Sequence, residues 1–324
     1  MERRYPRTGL LLLAPLWMTL LASPCAIAKN KDPEHDPEQI GSRDVGKGVN
    51  FYSMEREIGL GKEMAQETER QAKMVDDSAV TEYVTRLIQT VVNNSDAKVP
   101  FSIKVVDCDE VNAFALPGGF MFVNTGLIMR ADNEAELAGV LAHEIAHVAA
   151  RHATRQATRG QLINYGTIPL IFMGGWAGYA VRQAVGLAVP LGFLKFSRNM
   201  EAEADLLGLQ YMYKAGYDPT EFVNFFERIE TLEKKQPGAV SRLFSSHPMT
   251  GDRIRAAQKT IQQDLKSTPQ YVVDTSQFHD VRTRLIMLGN RLKLGWDPGR
   301  PVLHTRPSAK VEDGDGDGPT LKRN

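Results

Sequence analysis

The chain has 324 residues, of which 42% are hydrophobic and 24% are charged, and these are ordinary values for a globular protein. Its 39 basic residues balance its 39 acidic residues, so the net charge gives no indication of a nucleic-acid partner. A chain of this length can bury a sizeable core in one or two domains.

Residues 1–28 have the pattern of a secretory signal peptide, with three arginines before an apolar run at residues 9–22. That run is shorter than the roughly 20 residues that a membrane-spanning helix needs. Cys25 raises the alternative of lipidation, but Pro24 directly before it fits a lipobox poorly. We therefore expect cleavage after Ala28 and export of the mature chain.

The segments that follow predict a flexible lead-in, two helices and two strands. Asp, Pro, Gly and Lys dominate residues 29–50, and this composition favours flexibility. Helical periodicity covers residues 53–75, which are polar, and residues 78–93, which carry an apolar stripe. Alternating residues predict strands at 101–107 and 119–125, with a Pro-Gly-Gly turn before the second strand.

Residues 134–156 predict a long helix that contains the most informative motif of the chain. Asn133 is a good N-cap, Glu136 completes a capping box, and no Gly or Pro interrupts the run. His143 and His147 lie four residues apart in this helix. They therefore share one face, and their two imidazoles can bind one zinc ion.

Glu144 follows the first of these histidines and lies about 100° around the helix from it. Its carboxylate can reach a water molecule at the metal without binding the metal itself. This HExxH arrangement is typical of zinc metalloproteases, in which the glutamate acts as the general base. The motif therefore predicts zinc-assisted hydrolysis with Glu144 as the catalytic base.

Two places could supply the third protein ligand that a catalytic zinc site needs. In the metzincin spacing, HExxHxxGxxH, the third histidine would stand at position 153, where this chain has Ala153. His152 is one residue out of that register, so we expect it on the continuing helix as a surface or hydrogen-bonding residue. The helix predicted at 198–213 places Glu201 and Asp205 on one face, although such a face is often merely solvated. One of these carboxylates can bind zinc while the other accepts the N–H of a zinc-bound histidine. Glu203 points elsewhere, so its replacement by alanine should have little effect.

Residues 161–196 form an apolar, Gly-rich segment between the two candidate metal helices. Arg182 and Gln183 divide it into two stretches that are each shorter than the roughly 20 residues of a membrane span. We expect short helices that cover the active site or contact a membrane surface peripherally. The alternative is that the segment belongs to the ordinary core.

His247 stands before Pro248 on a loop between helices predicted at 219–236 and 251–265. Proline restricts the residue before it, so the imidazole is presented in a narrow range of directions. His247 could donate a hydrogen bond to the oxyanion of a tetrahedral intermediate. It could instead act as a latch that occupies the open zinc position. The third alternative is a simple surface turn.

The end of the chain changes in character. Residues 274–292 predict one more helix within a C-terminal extension at 266–296. Residues 297–324 are rich in Pro, Gly and Asp and predict a disordered tail. The aspartates of this tail lack the glutamate that closes an EF-hand loop, so we expect no calcium site there.

HEIAH at 143–147 followed by EAEAD at 201–205 resembles the M48 family of zinc endopeptidases, a gluzincin group. The resemblance covers roughly residues 50–265. Three longer segments follow the family's order: VNAFALPGGFMFVNTGL at 111–127, SRNMEAEAD at 197–205 and SSHPMTGDRI at 245–254. The chain is most similar to the soluble, exported bacterial members of the family and not to the multi-spanning members that process prenylated proteins.

The resemblance implies a role for each residue of the motif. One zinc ion per chain would be bound by His143, His147 and Glu201, with Glu144 as the base. Asp205 would accept the second ring N–H of a zinc-bound histidine. The implied fold class is α+β and mainly helical, with a metallopeptidase domain at 51–265 and a small sheet beside the HExxH helix. The free edge of that sheet would bind an extended substrate through main-chain hydrogen bonds.

The implied function is hydrolysis of misfolded or misassembled envelope proteins, most naturally in the periplasm and with possible membrane association. Two alternatives come from other classes. A non-cleaving chaperone would use the strand edge and the apolar segment, although it would need none of the candidate zinc residues. A zinc hydrolase of small molecules would have a closed pocket and no free strand edge. The sequence does not determine the oligomeric state.

Overall fold

A computed structural model describes residues 1, 33–163, 196–235, 247, 250–266 and 268–293. Several predicted features lie outside these residues. They are almost all of the signal peptide at 1–28, most of the apolar segment at 161–196, the C-terminal tail at 297–324, and Pro248. In the part of the chain that is described, no helix is long and apolar enough to cross a membrane.

The described residues form an α+β, mainly helical structure, and this confirms the predicted fold class. Two helices, Met54–Gln71 (α1) and Ser78–Val92 (α2), precede a three-stranded sheet. Ser53 and Asp77 cap these helices, because their side chains accept backbone N–H groups of the first turns. The apolar stripe of α2 is buried in the main core, which explains why this helix was easy to predict.

The sheet contains Ser102–Val106 (β1), Ala113–Leu116 (β2) and Phe120–Asn124 (β3), in the order β1-β3-β2. The two strands predicted from alternation, β1 and β3, are parallel neighbours and do not form a hairpin with each other. The antiparallel partner of β3 is β2, which sequence reasoning did not separate as a strand. The four residues of β2, AFAL, are all apolar, so they show no alternation of apolar and polar residues. It is an edge strand of the sheet formed by the described residues.

The metal helix begins at Glu134 and ends at Ala149 (α4), after a short helix at Thr125–Arg130 (α3). The prediction of an uninterrupted helix to residue 156 is wrong. Arg151 has a φ of 53°, and a new helix, His152–Ile163 (α5), starts after it.

The left-handed conformation at this break costs about 1–2 kcal/mol for a residue with a side chain. The guanidinium of Arg151 offsets the cost, because Nε donates to Glu57 Oε2 at 2.6 Å and Nη2 donates to the carbonyl of Tyr52 at 2.7 Å. No Gly marks the break, so the sequence pattern could not show it. Because the helix breaks at Arg151, His152 leaves the axis of α4 and begins a helix of its own.

The second candidate metal helix, Arg198–Lys214 (α6), packs along α4. The approach is close at Gly208, where a Cβ would lie 3.1 Å from the Cα of His143. This contact brings the carboxylates of α6 next to the histidines of α4. The helix Thr220–Lys235 (α7) packs on α4, and the helix Gly251–Gln263 (α8) packs on α6 and on α7.

The C-terminal helix, Ser276–Lys293 (α9), packs against α2 and α3. Its Phe278 is fully buried, and the carbonyl of Val273 just before it accepts the N–H of Ala135 at 2.9 Å. The helical extension therefore contacts the first turn of the metal helix.

The lead-in differs from the flexible segment that its composition predicts. Two short 3₁₀ turns occupy Pro33–His35 and Pro37–Gln39. Arg43 is buried, and its Nε donates to Asp96 Oδ2 at 2.9 Å. Gly46 has a φ of 74°, and a Cβ on it would lie 2.3 Å from the carbonyl oxygen of Ala150. Charge pairing and this close backbone approach fix residues 33–50 to the domain despite their polar composition.

Candidate metal centre

The close packing of α4 and α6 brings the side chains of His143, His147 and Glu201 together in the interior. The Nε2 atoms of the two histidines are 3.0 Å apart. Glu201 Oε2 lies 3.5 Å from His143 Nε2, and Glu201 Oε1 lies 3.6 Å from His147 Nε2. Zinc–ligand bonds of about 2.0–2.2 Å place neighbouring atoms of a tetrahedral site about 3.3–3.6 Å apart. The two histidine–carboxylate separations lie in this range, and the histidine–histidine separation is about 0.3 Å shorter, so the donor set fits one zinc ion with a small outward movement of one ring.

His247 joins this group, and the surface-turn alternative is wrong because the residue is only 2% exposed. Its Nδ1 lies 2.9 Å from Glu201 Oε1 and 3.4 Å from His143 Nε2. One ligand atom from each of His143, His147, Glu201 and His247 lies within 4.8 Å of all the others. This arrangement would let His247 act as a fourth metal ligand.

Glu144 lies beside the candidate metal ligands and against the sheet. Its Oε2 accepts the backbone N–H of Ala115 in β2 at 3.3 Å, and its Oε1 lies 3.5 Å from His247 Nε2. Burial raises the pKa of the Glu144 carboxyl above its ordinary value. The candidate base is thus held by the same edge strand that could bind an extended peptide.

Asp205 lies behind the first histidine, with Oδ1 3.1 Å from His143 Nδ1. A hydrogen donated from Nδ1 would leave Nε2 of that ring free for a metal. Arg253 at the start of α8 donates to Asp205 from Nε and from Nη2, each at 2.7 Å. Its Nη1 lies 3.0 Å from Glu201 Oε2.

The role of Arg253 was missed, although it ends one of the segments quoted for the family resemblance. Burial alone would raise the pKa of Asp205, but hydrogen bonds from Arg253 and His143 hold it below its ordinary value. Arg253 therefore neutralises two buried carboxylates beside the histidines.

His152 lies behind the second histidine. Of the two roles expected for it, the position on a continuing helix surface is wrong, and the hydrogen-bonding role is the one that the structure shows. Its side chain is 0% exposed, and its Nδ1 is 2.8 Å from His147 Nδ1. His152 Nε2 is 3.2 Å from Glu203 Oε2. Burial lowers the pKa of both histidines below the ordinary value, which favours neutral rings.

Glu203 does point away from the metal ligands, but it is not a free surface residue. Its Oε1 accepts the N–H of Gly46 at 3.2 Å, and its Oε2 accepts Arg155 Nη1 at 3.2 Å. Burial would raise the pKa of Glu203, but His152 and Arg155 lower it to about 2. Replacement of Glu203 by alanine would remove these contacts, so we now expect it to affect His152 and Arg155, contrary to the prediction from the sequence.

Phe196 covers one side of the site, since its ring stacks on His147 with 4.1 Å between centroids and 20° between planes. It belongs to the small apolar cluster that includes Leu116 and Phe122 of the sheet. The ring thus shields one histidine from solvent. Phe196 is the last residue of the apolar segment 161–196, for which the sequence predicts a cover over the active site or a membrane contact.

The model of peptidase family M48 matches residues 78–261, which is more than half of the chain. The chain belongs to peptidase family M48. The matched range contains the metal helix, the carboxylate helix and the segment of His247. Zinc is the cofactor that this membership and the histidine–carboxylate cluster support.

Several curated proteins named as proteases are similar to the chain. The beta-barrel assembly-enhancing protease of Yersinia pestis is 29% identical over 70% of this chain and 48% of its own length. The putative beta-barrel assembly-enhancing protease of Vibrio cholerae is 30% identical over 82% of this chain and 55% of its own length. The mitochondrial metalloendopeptidase OMA1 of Saccharomyces cerevisiae is 36% identical over 46% of this chain and 43% of its own length. The chain thus spans about half the length of the curated relatives that it matches.

Proposed function

We propose that this chain is a zinc-dependent metalloendopeptidase that hydrolyses peptide bonds in misfolded or misassembled envelope proteins. The observation that carries the proposal is the meeting of His143, His147 and Glu201 at zinc-ligand spacing, with Glu144 beside them and β2 next to Glu144. A chaperone that only binds its substrates would require neither the ligand set nor a buried carboxylate at this position.

Zinc held by His143, His147 and Glu201 would supply a Lewis acid and lower the pKa of an attacking water to about 7. Glu144 would accept the proton of that water and deliver it to the leaving amine. The N–H of Ala115 fixes the Glu144 carboxylate, so its second oxygen faces His247 and the ligand cluster. Asp205 would hold the ring of His143 in the orientation that directs Nε2 to the metal.

The edge strand β2 supports a protein substrate in extended form. Its partner β3 is on one side, and no strand of the described residues pairs with its other edge, although the N–H of Ala115 already donates to Glu144. Main-chain hydrogen bonds hold a peptide with little regard to its sequence, which suits unfolded or misassembled chains. The names of the bacterial relatives, which refer to beta-barrel assembly, support envelope proteins as the substrate class.

The location that we propose is the periplasm, reached through the signal peptide predicted at 1–28. Peripheral membrane contact through 161–196 remains part of the proposal, because that segment is apolar and adjoins the metal helices in sequence. Fractionation of cells that express the full chain tests the location, and N-terminal sequencing of the mature protein tests the cleavage of the signal peptide. Cleavage after Ala28 and recovery in the periplasmic fraction are the expected results.

His247 has two possible functions at this centre. As a latch, it would occupy the fourth metal position and leave when substrate arrives, and its position among the ligand atoms supports this role. As an oxyanion stabiliser, it would donate a hydrogen bond during catalysis. His247→Ala should raise basal proteolysis in the first case and lower turnover by up to about 10²–10³-fold in the second. Unchanged activity and zinc affinity would exclude both roles.

The proposed activity is tested by cleavage of casein with the zinc-loaded protein, with and without a chelator. Glu144→Gln should keep the zinc content and fold but lose nearly all cleavage, because it removes only the proton acceptor. Glu230→Gln on α7 is a matched control, since that side chain is 33% exposed and pairs only with Lys234 among the described residues. Cleavage that survives the chelator, or normal cleavage by Glu144→Gln, would refute the mechanism.

A further inference from the structure

We propose that His152 and Glu203 are positioning residues that fix His147 in the tautomer whose Nε2 is free to bind zinc. This inference rests on the proposed function only in taking His147 as a zinc ligand. It concerns which ring donates and which ring accepts in a buried series of hydrogen bonds behind that ligand. This hydrogen-bond series runs from His147 through His152 to Glu203, whose further partners lie on α5 and in the lead-in.

The first link is a contact between two Nδ1 atoms. His147 Nδ1 and His152 Nδ1 are 2.8 Å apart, and both rings are at most 3% exposed. Between two neutral imidazoles, such a contact requires one ring to donate and the other to accept. The contact alone is symmetric, because either ring could carry the hydrogen.

The two directions have opposite consequences for a metal. If His147 donates from Nδ1, its Nε2 has a free lone pair directed at the ligand cluster, 3.0 Å from His143 Nε2. If His152 donates instead, neutral His147 must carry its hydrogen on Nε2, and that hydrogen occupies the metal-binding atom. Tight zinc binding therefore requires a neighbouring group that makes His147 the donor and His152 the acceptor.

Glu203 supplies that selection. Its Oε2 lies 3.2 Å from His152 Nε2, and an ionised carboxylate can only accept a hydrogen bond. His152 Nε2 must therefore carry the hydrogen, so His152 Nδ1 has a lone pair and must accept from His147. In the opposite direction, the lone pair of His152 Nε2 would face a carboxylate oxygen in a buried setting, and both groups would lose their hydrogen bond.

The carboxylate is itself held by two further elements. Arg155 on α5 donates to Glu203 from Nη1 and to the carbonyl of Lys47 from Nη2, the latter at 2.5 Å. The N–H of Gly46 donates to the other oxygen of Glu203 at 3.2 Å. Both oxygens of Glu203 thus face N–H donors, and these contacts orient the carboxylate towards His152 as an acceptor.

The fold brings the second histidine into place through the helix break described above. A straight helix would carry residue 152 away from the face of His147, because five residues correspond to about 500° of rotation, or 140° from the starting face. The left-handed Arg151 instead ends α4 and sets the two rings 4.8 Å apart at 70°. A non-glycine residue in this conformation beside a candidate site indicates that the surrounding contacts enforce it.

Nuclear magnetic resonance of the histidine ring nitrogens in ¹⁵N-labelled full-length protein tests the direction of this chain. In chelator-treated wild type, the couplings should identify His147 as the tautomer with hydrogen on Nδ1 and His152 as the tautomer with hydrogen on Nε2. Glu203→Gln replaces an acceptor by an amide that can also donate, so both rings should become mixtures of tautomers. An unchanged pair of tautomers in Glu203→Gln, or the opposite pair in wild type, would overturn the inference.

Competition with a chromophoric zinc chelator measures the consequence for binding. His152→Phe keeps a planar ring but has no acceptor, and it should raise the zinc Kd about 10–100-fold. His152→Asn retains an acceptor close to the position of Nδ1 and should restore most of the affinity. His279→Asn is the control, because that histidine is 58% exposed and pairs with Asp274. If the phenylalanine and asparagine variants are both folded and bind zinc equally well, the proposed role of the acceptor is wrong.

These measurements are independent of proteolysis. A protein that shows the expected tautomers and zinc affinities but cuts no casein would contradict the proposed function and leave this inference intact. A protein that cuts casein with chelator sensitivity, but whose zinc affinity is unaffected in His152→Phe, would contradict this inference and leave the proposed function intact.

Discussion

Arg253 is the side chain whose removal should most clearly show how much the buried charges at the candidate metal site contribute to stability. Its guanidinium is 9% exposed and contacts the carboxylates of Asp205 and Glu201, which are 6% and 4% exposed. Arg253→Met keeps most of the side-chain length but removes the charge and all the donors. In chelator-treated protein, the variant would bury two carboxylates beside each other without their cation.

The size of the effect follows from this burial. Removing one partner of a buried ion pair costs about 3–5 kcal/mol. For a domain of this size, each kcal/mol lowers Tm by about 2–4 °C, so we expect a decrease of about 6–20 °C. Zinc would place a second cation against Glu201, so the decrease should be smaller in zinc-loaded protein than in chelator-treated protein.

Thermal unfolding followed by circular dichroism measures both states, with Arg255→Met as the matched control. Arg255 lies on the same helix and is 72% exposed, and its partner Asp252 is 88% exposed. A surface ion pair contributes about 0–1 kcal/mol, so this control should lower Tm by no more than about 4 °C. If Arg253→Met lowers Tm no more than Arg255→Met in chelator-treated protein, the reasoning about the buried pair is wrong.

Further predictions concern the ligands and the close backbone contacts. Glu201→Ala should remove stoichiometric zinc in metal analysis, whereas Asp205→Ala should weaken zinc binding only about 10–100-fold in chelator competition. Gly208→Ala should separate α6 from α4 at His143, which we expect to cost about 1–3 kcal/mol in urea unfolding and to weaken zinc binding. Gly46→Ala should cost about 1–3 kcal/mol, because φ is 74° and the added methyl meets the carbonyl of Ala150. Wild-type stability in either glycine variant would contradict the close approach seen in the structure.

Local signals made the metal helix and its carboxylate partner helix predictable. Asn133 caps α4 by accepting the N–H of Glu136, as the capping pattern predicts. Glu136 in turn accepts the N–H of Asp132, one residue before the N-cap residue whose N–H the capping box would use. Ser197 likewise caps α6 at the start of the segment quoted for the family resemblance. Such patterns depend on residues within one turn of each other, so a single sequence contains all that they need.

The features that sequence reasoning missed depend on contacts between distant residues. Arg151 adopts a left-handed conformation because Glu57 and Tyr52, almost a hundred positions earlier, accept its hydrogen bonds. The lead-in is ordered because Arg43 finds a buried partner in Asp96. Neither contact leaves a periodicity or a turn signal in the sequence. Both errors affected the site, since they concealed the position of His152 and the partners of Glu203.

Each of the two candidate zinc histidines is therefore oriented by a chain of polar groups that ends on an arginine from another element. His143 is held through Asp205 by Arg253 of α8, and His147 is held through His152 and Glu203 by Arg155 of α5. The second chain also uses Gly46 and Lys47, which lie before the first helix and outside the range matched by the family model. A fragment that contains only residues 78–261 would keep every proposed zinc ligand but would lose the backbone groups that orient Glu203 and Arg155. The metal centre consequently depends on a longer stretch of chain than the one that carries its ligands.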